Sequence, residues 1–239
     1  MLRFPDDAPL GAYVADALTA LLKKKPTATI CIAAGTSSFP VFEALKGRVQ
    51  AGELDLSQAS FFAMDEWCGL PQDADGAMAD FLHRYFLNDV DFAHTFLFDG
   101  MADPEAECVR AEAFLAEHGG LDAVVFGIGV NGHVALNEPG VDPALRTHVA
   151  QVDPVTAAVA QKYFRQEAPL LTKGITMGIA NASEADMVFL VANTKVKRTA
   201  VEAINTLATL GIPNNEVPAS FIAALPQAEF LVTEAVFAE

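Results

Sequence analysis

The sequence predicts an α/β fold: a single three-layer αβα domain, spanning residues 1–239, with a mostly parallel sheet between two layers of helices. Three observations lead to this prediction. Apolar runs of strand length alternate with segments of helical periodicity along the chain. The 239 residues are 52% hydrophobic, which is enough for one sizeable core. No internal repeat, low-complexity tract or flexible linker divides the chain.

The predicted elements follow one another in a regular order. Leucines and valines at helical spacing predict a first helix at 10–25, and the apolar strand TATICIAA (27–34) comes next. The remaining elements in chain order are helix FPVFEALKGRV, strand ASFFAMDE, helices ADFLHRYFLNDV and EAECVRAEAFLAEHGG, strand LDAVVFGIG, helix 155–166, strands GITMGIA and DMVFLVAN, helix KVKRTAVEAINTLAT, short helix PASFIAALP and strand AEFLVTE. Strands that are apolar throughout are typical of parallel sheets covered on both faces.

Charge and cysteine content restrict the function. The net charge of −16 and the lack of a basic stripe exclude a nucleic-acid groove. No window approaches about 18 uninterrupted apolar residues, and the N-terminus lacks a basic leader, so we expect neither a membrane span nor a signal peptide. The odd cysteine number, without a CxxC pair, argues against a disulfide framework and favours the cytoplasm. No Cys/His cluster has metal-ligand spacing, so we expect no metal and no cofactor.

Ligands of such folds bind beyond the carboxyl ends of the strands, so the residues that follow each strand matter most. The first predicted strand is followed by Gly35, Thr36, Ser37 and Ser38. A turn glycine and three hydroxyls before a helix are consistent with a phosphate cradle, and equally with an ordinary helix cap. The strand ASFFAMDE ends in Asp65 and Glu66, which could be a catalytic base or a cap.

The segment GIGVNGHVALNEPG (127–140) follows the strand LDAVVFGIG. Gly127, Gly129 and Gly132 allow a sharp turn and a close approach to a ligand. His133 and Glu138 are its titratable residues, and a histidine in such a loop is a strong acid–base candidate. We expect surface or structural roles for the histidines in helical or connecting segments, namely His83, His94 and His118.

Lys195 follows the strand DMVFLVAN at the start of a helix. Helix N-termini usually favour acidic residues, so a lysine there indicates an anionic partner. Lys197 and Arg198 are expected to be solvated. From these strand ends the sequence predicts metal-free proton transfer on a small phosphorylated substrate.

Two segments carry a family resemblance. FFAMDEWCGLP (61–71) and GIGVNGHVALNEPG resemble the glucosamine-6-phosphate deaminase/isomerase family, which shares a superfamily with 6-phosphogluconolactonase. The resemblance extends in order through AAGTSS, FLHRYF, KGITMGI, LVANTK and VPASF. It implies a modified Rossmann-like fold of the deaminase/phosphogluconolactonase type. The residues EW after MD, the Asn before GH, GITMGI and VPASF are most similar to the galactosamine-6-phosphate branch.

The resemblance also implies roles for individual residues. Asp65 matches the base that moves the C2 proton, His133 the group that opens the sugar ring, and Glu138 its acidic partner. Asn131 stands where glucosamine-6-phosphate enzymes have an Asp, and such a change can reverse the tautomer of the histidine. The substrate- and phosphate-binding residues implied are Gly35, Thr36, Ser37, Ser38, Glu66, Gly129, Gly132, Lys162 at the position of a phosphate-binding Arg, and Lys195.

The function expected from the resemblance is conversion of galactosamine 6-phosphate to tagatose 6-phosphate and ammonia, by ring opening and C2 proton abstraction. Glucosamine 6-phosphate, giving fructose 6-phosphate, is the alternative. A 6-phosphogluconolactonase is disfavoured by the NEPG sequence, and a non-catalytic sugar-phosphate sensor by the acidic charge. A homo-oligomer is compatible with the sequence. The segment 141–150 lacks the basic residues of an activator site, with His148 and Ala150 at two of those positions, so no allosteric activation is expected.

Overall fold

A computed structural model describes residues 1–238, which contain ten strands and eight α-helices. The strands are β1 (Leu2–Phe4), β2 (Thr29–Ile32), β3 (Ser60–Phe62), β4 (Asp65–Trp67), β5 (His94–Phe96), β6 (Ala123–Gly127), β7 (His148–Gln151), β8 (Lys173–Thr176), β9 (Met187–Ala192) and β10 (Ala228–Thr233). The helices are α1 (Asp7–Lys24), α2 (Phe39–Gln50), α3 (Met78–Tyr85), α4 (Pro104–Glu117), α5 (Pro154–Ala160), α6 (Ile179–Ser183), α7 (Arg198–Leu210) and α8 (Ala219–Ala223).

The main sheet has seven strands in the order β1-β10-β9-β6-β2-β3-β5, and every pairing is parallel. All four residues of β2 are buried, and so are four of the five in β6. Successive side chains of a strand point to opposite faces, so both faces of the central strands are covered. The predicted α/β class and mostly parallel sheet are therefore confirmed.

A second, antiparallel sheet of three strands, in the order β4-β8-β7, accompanies the main sheet. The sequence predicts one strand at 59–66, but the chain leaves the main sheet after Phe62 and enters the small sheet at Asp65. Between them, the N–H of Ala63 donates to Phe96 of β5, and Met64 accepts from Met177. Apolar patterning could not show this change because both strands and their junction are buried.

Three short strands are absent from the sequence prediction. β1 and β5 form the two edges of the main sheet, and two of the three residues in each are exposed, so neither has a continuous apolar run. β7 lies in the small sheet. His94 and His148 accordingly lie in strands. The predicted helix 155–166 is also shorter, because α5 ends at Ala160 and a 3-10 turn at Gln161–Tyr163 follows.

Neither a disulfide nor a membrane-spanning helix is found in the described part of the chain. Cys31, Cys68 and Cys108 are free thiols, and Cys31 packs in the core with its sulfur 3.6 Å from that of Met177. Within residues 1–238, no helix combines the length and apolar character that crossing a bilayer requires.

Candidate active site

A cavity of about 500 Å³ opens at the carboxyl ends of the central strands β2 and β6. Six parts of the chain line it: the turn after β2, strand β4, the start of α3, the glycine-rich loop after β6, the segment around α5, and the turn before α7. Its lining residues include Thr36, Ser37, Ser38, Asp65, Trp67, Met78, Gly129, His133, Leu136, Thr156, Val159, Lys162, Tyr163 and Lys197. Its position agrees with the rule for ligand sites of open parallel sheets.

The turn after β2 supplies hydroxyl groups to one end of the cavity. Thr36–Ser38 form a 3-10 turn that leads directly into α2. The Ser38 hydroxyl donates to the carbonyl of Ala33 at 2.7 Å, so it stabilises the turn itself. The Ser37 hydroxyl accepts a 2.6 Å hydrogen bond from the Lys197 ammonium. Thr36 and Ser37 therefore remain the better candidates for contacts with a ligand anion, together with the backbone of the turn.

The lysine beside this turn is Lys197, which corrects the prediction of Lys195. Lys195 is exposed and does not line the cavity, whereas Lys197 reaches into it. Burial, with the nearby charge of Lys162, lowers the pKa of Lys197 to about 8. Lys195 and Lys197 lie in the same 3-10 turn, Lys195–Lys197. A bound anion would offset the burial and hold Lys197 in its charged form.

Strand β4 places Asp65 and Trp67 in the cavity and turns Glu66 away from it. Side chains alternate along a strand, and only the first and third residues of β4 line the cavity. Asp65 is 7% exposed. Burial, and secondarily the charge of Glu66, raises the pKa of Asp65 to about 8. A buried carboxyl with a raised pKa at a cavity wall is the environment of a general base.

Glu66 has a structural environment instead of the predicted substrate contact. Its carboxylate accepts hydrogen bonds from the backbone N–H groups of Trp67, Met78 and Ala79, each at 2.9 Å. The last two are the first residues of α3, whose N-cap Ala77 has no side chain to perform this function. Glu66 thus caps α3 from a neighbouring strand and holds that helix beside the cavity.

Trp67 forms part of the cavity wall and carries an unused donor. Its side chain is 1% exposed, and its indole N–H finds no hydrogen-bond partner within residues 1–238. A buried donor without a partner costs about 1–3 kcal/mol, so an acceptor supplied by a ligand would remove that cost.

The glycine-rich loop after β6 brings His133 close to the backbone. A Cβ atom on Gly129 would lie 2.3 Å from the imidazole, so this glycine makes room for the ring of His133 itself. Gly132 has φ +86°, and a Cβ there would lie 2.8 Å from Val217. Both glycines therefore shape the histidine loop. Of these two predicted substrate contacts, Gly129 lines the cavity and Gly132 does not.

The Nδ1 atom of His133 faces two side chains of its own loop. Asn131 Oδ1 is 2.7 Å from Nδ1, and Glu138 Oε2 is 3.4 Å away. The amide nitrogen of Asn131 donates to the same Glu138 oxygen at 3.0 Å. This network fixes the amide orientation, because the carboxylate can only accept. The amide oxygen then requires hydrogen on Nδ1, and Nε2 is the nitrogen left for a ligand.

Burial alone would raise the pKa of Glu138, but hydrogen bonds and charge from its neighbours outweigh it. The largest opposing contribution is the hydrogen bond with His133, followed by the charge of that ring and by hydrogen bonds with Thr156 and Asn131. The net pKa of Glu138 is below its ordinary value. Glu138 is therefore a buried carboxylate beside the imidazole, 8% exposed.

The segment Thr156–Tyr163 completes the cavity. The hydroxyl of Thr156 lies 2.9 Å from Nδ1 of His133, a contact that the sequence did not predict. Lys162 lies at the exposed rim, with its ammonium 4.9 Å from the ring centre of Tyr163. Within residues 1–238, no group of three or more His, Cys, Asp or Glu side chains is arranged to hold a metal ion.

Sequence comparison identifies the family. The profile of the family described as glucosamine-6-phosphate isomerases/6-phosphogluconolactonase matches residues 8–231. The chain belongs to this family. A glucosamine-6-phosphate deaminase from Mycolicibacterium smegmatis is 33% identical over 98% of this chain and 90% of its own length.

Solved structures agree with the family assignment. A monomeric glucosamine-6-phosphate deaminase superposes with a TM-score of 0.90 at 26% identity, covering 99% of this chain and 98% of its own. The 6-phosphogluconolactonase from Thermotoga maritima has a TM-score of 0.72 at 16% identity, covering 97% of each chain, and supports the fold alone. The predicted Rossmann-like fold of this family is confirmed.

Proposed function

We propose that the chain is a hexosamine-6-phosphate deaminase/isomerase, which converts a 2-amino-2-deoxyhexose 6-phosphate to the ketose 6-phosphate and ammonia. The observation that carries the proposal is the content of one cavity. It holds Asp65 with its raised pKa, His133 with Nε2 available, and Lys197 beside the hydroxyl of Ser37. Asp65 supplies a base, His133 supplies an acid–base group for ring opening, and Lys197 with Ser37 supplies an anion site.

Ring opening is assigned to His133. A closed pyranose needs a proton on the ring oxygen and loses one from the C1 hydroxyl, and an imidazole can exchange both near neutral pH. The hydrogen on Nδ1 stays with Asn131 and its neighbours, so Nε2 exchanges protons with the sugar. Glu138 stabilises the imidazole of His133 when that imidazole is protonated, as the carboxylate of a catalytic triad does.

Isomerisation and deamination follow from the open aldehyde. The C1 carbonyl acidifies the C2 hydrogen, which the carboxylate of Asp65 removes. The electrons of the C–H bond form the C1–C2 double bond of an enolamine, while the π electrons of the C1 carbonyl move to its oxygen, which takes a proton from solvent. A proton added at C1 yields an imine at C2. Water then adds to this carbon, and ammonia leaves to give the ketone. The substrate ammonium and the cavity lysines favour the ionised form of Asp65 when substrate binds.

Glucosamine 6-phosphate is the substrate that the relatives favour, since both the Mycolicibacterium smegmatis protein and the superposed monomeric enzyme are named for it. Galactosamine 6-phosphate is the second candidate. The sequence features that favour it are Asn131 and the pair Glu66-Trp67. Glu66 caps a helix, which weakens this argument, but Trp67 lines the cavity, and its buried indole N–H has no partner within residues 1–238. The indole is therefore our candidate for a hydroxyl contact that distinguishes the two epimers.

The test is ammonia release from each epimer with purified protein, followed by identification of the ketose phosphate. Higher kcat/KM on glucosamine 6-phosphate supports the first candidate, and higher kcat/KM on galactosamine 6-phosphate supports the second. Trp67→Phe, which removes only the indole donor and part of the ring, is expected to reduce the ratio between the epimers. Hydrolysis of 6-phosphogluconolactone without ammonia release from either sugar would overturn the proposed function.

A further inference from the structure

Thr156 joins the histidine network from a different element. It lies in the first turn of α5, and Thr156, Val159 and Ala160 all line the cavity, as expected for one face of a helix. The helix begins at a fixed position because the Asp153 carboxylate accepts from the N–H of Val155 at 2.7 Å. Thr156 is 6% exposed, so its hydroxyl is held in a defined place.

Three oxygen atoms therefore surround Nδ1 of His133. Asn131 Oδ1 lies at 2.7 Å, Thr156 Oγ1 at 2.9 Å and Glu138 Oε2 at 3.4 Å. The carboxylate is the negatively charged member of the set and also the most distant one. A threonine hydroxyl can accept from Nδ1–H and donate to a carboxylate at the same time.

We infer that Thr156 is a positioning residue, whose hydroxyl shares the Nδ1–H of His133 with Asn131, donates to Glu138, and so couples the carboxylate to the imidazole. The inference rests on the proposed function for its catalytic consequence. With an amide at position 131, the acid of the loop, Glu138, is 3.4 Å from Nδ1. Thr156 bridges this gap and, together with Asn131, keeps the hydrogen on Nδ1.

The charges around Glu138 are consistent with this role. His133 approaches from the same loop, and α5 contributes the backbone N–H of Asp153, which donates to Glu138 Oε1 at 3.4 Å. The other titratable groups of the cavity are Asp65, Lys162, Tyr163 and Lys197. Thr156 is one of the hydrogen-bonding side chains that lower the pKa of Glu138.

The first experiment compares Thr156→Val, which has nearly the same shape without the hydroxyl, with Thr156→Ser, which retains it. We expect Thr156→Val to lower kcat about tenfold and to leave KM nearly unchanged, because the phosphate contacts lie elsewhere in the cavity. The acidic limb of the kcat profile, where bound substrate keeps Asp65 ionised, is expected to move upward by about one unit, a tenfold change in the protonation of Glu138. Thr156→Ser should restore both.

Matched variants separate this effect from general helix damage. Thr206→Val removes a hydroxyl that bonds the backbone of its own helix, at Glu202, and should leave the kinetics unchanged. If Thr156→Val does not fold, Thr156→Ala removes the same hydroxyl with a smaller side chain. Loss of activity without a shift of the acidic limb, or without rescue by serine, would overturn the inference.

A second readout does not depend on catalysis. Nitrogen NMR of ¹⁵N-histidine-labelled protein distinguishes Nδ1–H from Nε2–H in the absence of substrate. The wild type and Thr156→Ser are expected to hold His133 as Nδ1–H with the same Nδ1 resonance, and Thr156→Val to shift that resonance, because one of the two close acceptors of the Nδ1–H is lost. An unchanged Nδ1 resonance in Thr156→Val contradicts the inference. If the wild type releases no ammonia from hexosamine phosphates, the proposed function fails while this test still decides the inference.

Discussion

Asp65→Asn is expected to stabilise the protein while it removes activity. Asp65 is buried at the cavity wall, and its pKa is raised from 3.8 to about 8. Between these two pH values Asp65 keeps its proton in the folded protein and releases it in the unfolded chain. The stability that protonated Asp65 contributes is therefore complete below the pKa of the unfolded chain and is lost as the pH rises through the pKa of the folded protein. Asparagine resembles the neutral acid and does not titrate, so it avoids this loss.

The expected size follows from the linkage between protonation and folding. One proton changes the free energy of unfolding by about 1.4 kcal/mol per pH unit, so Asp65 costs about 2.7 kcal/mol between about pH 5 and about pH 7. The stability difference between Asp65→Asn and the wild type should grow by this amount over the same range. Loss of the base should lower kcat by about 10²–10⁴-fold.

Urea denaturation of both proteins at several pH values measures the difference. Asp91→Asn is the matched control, because Asp91 is exposed and its substitution should leave the pH dependence of stability unchanged. A stability difference that stays constant between the two pH values would show that Asp65 ionises normally in the folded protein. The assignment of its raised pKa to burial would then be wrong.

Three further predictions concern the anion site, the helix cap and regulation. Lys197→Met should raise KM about tenfold or more, since the charge nearest Ser37 is lost, while the control Lys195→Met changes it little; equal KM increases would contradict this. Glu66→Gln should lower the free energy of unfolding by about 1–3 kcal/mol in chemical denaturation, because a buried acceptor of three N–H groups is impaired. Rate curves in hexosamine 6-phosphate should be hyperbolic; sigmoidal curves sharpened by an N-acetylated sugar phosphate would refute this prediction.

Continuous apolar patterning was sufficient to predict the central sheet, and it failed where strands are short or exposed. β2, β6, β9 and β10 are buried over most of their length, so their sequences are distinctive. The edge strand β5 has two exposed residues of three and depends on its pairing with β3. Pairing between distant segments is not visible in local sequence, and this also explains why the small sheet was missed.

The structure brings together the loops that the sequence singled out, but it places some of their side chains differently. Asp65 and His133 share one cavity because the carboxyl ends of parallel strands meet. The sequence predicts that Lys197 is solvated, whereas it lines the cavity. A sequence does not show which lysine of a 3-10 turn faces inward. The orientation of the Glu66 side chain could have been predicted from the sequence, because alternation along a strand turns it away from the side that Asp65 faces. Thr156 gave no signal, since a helical threonine usually bonds its own backbone.

The amide at position 131 changes how charge reaches the histidine, but it does not reverse the tautomer. An asparagine could present either end of its amide to Nδ1. Glu138 decides the matter by accepting from the amide nitrogen, which leaves the amide oxygen facing the imidazole. The loop thus presents an oxygen atom to Nδ1 from position 131 without a negative charge there. Glu138 becomes the carboxylate that balances a charged His133, and the hydroxyl of Thr156 lies where it can connect the two.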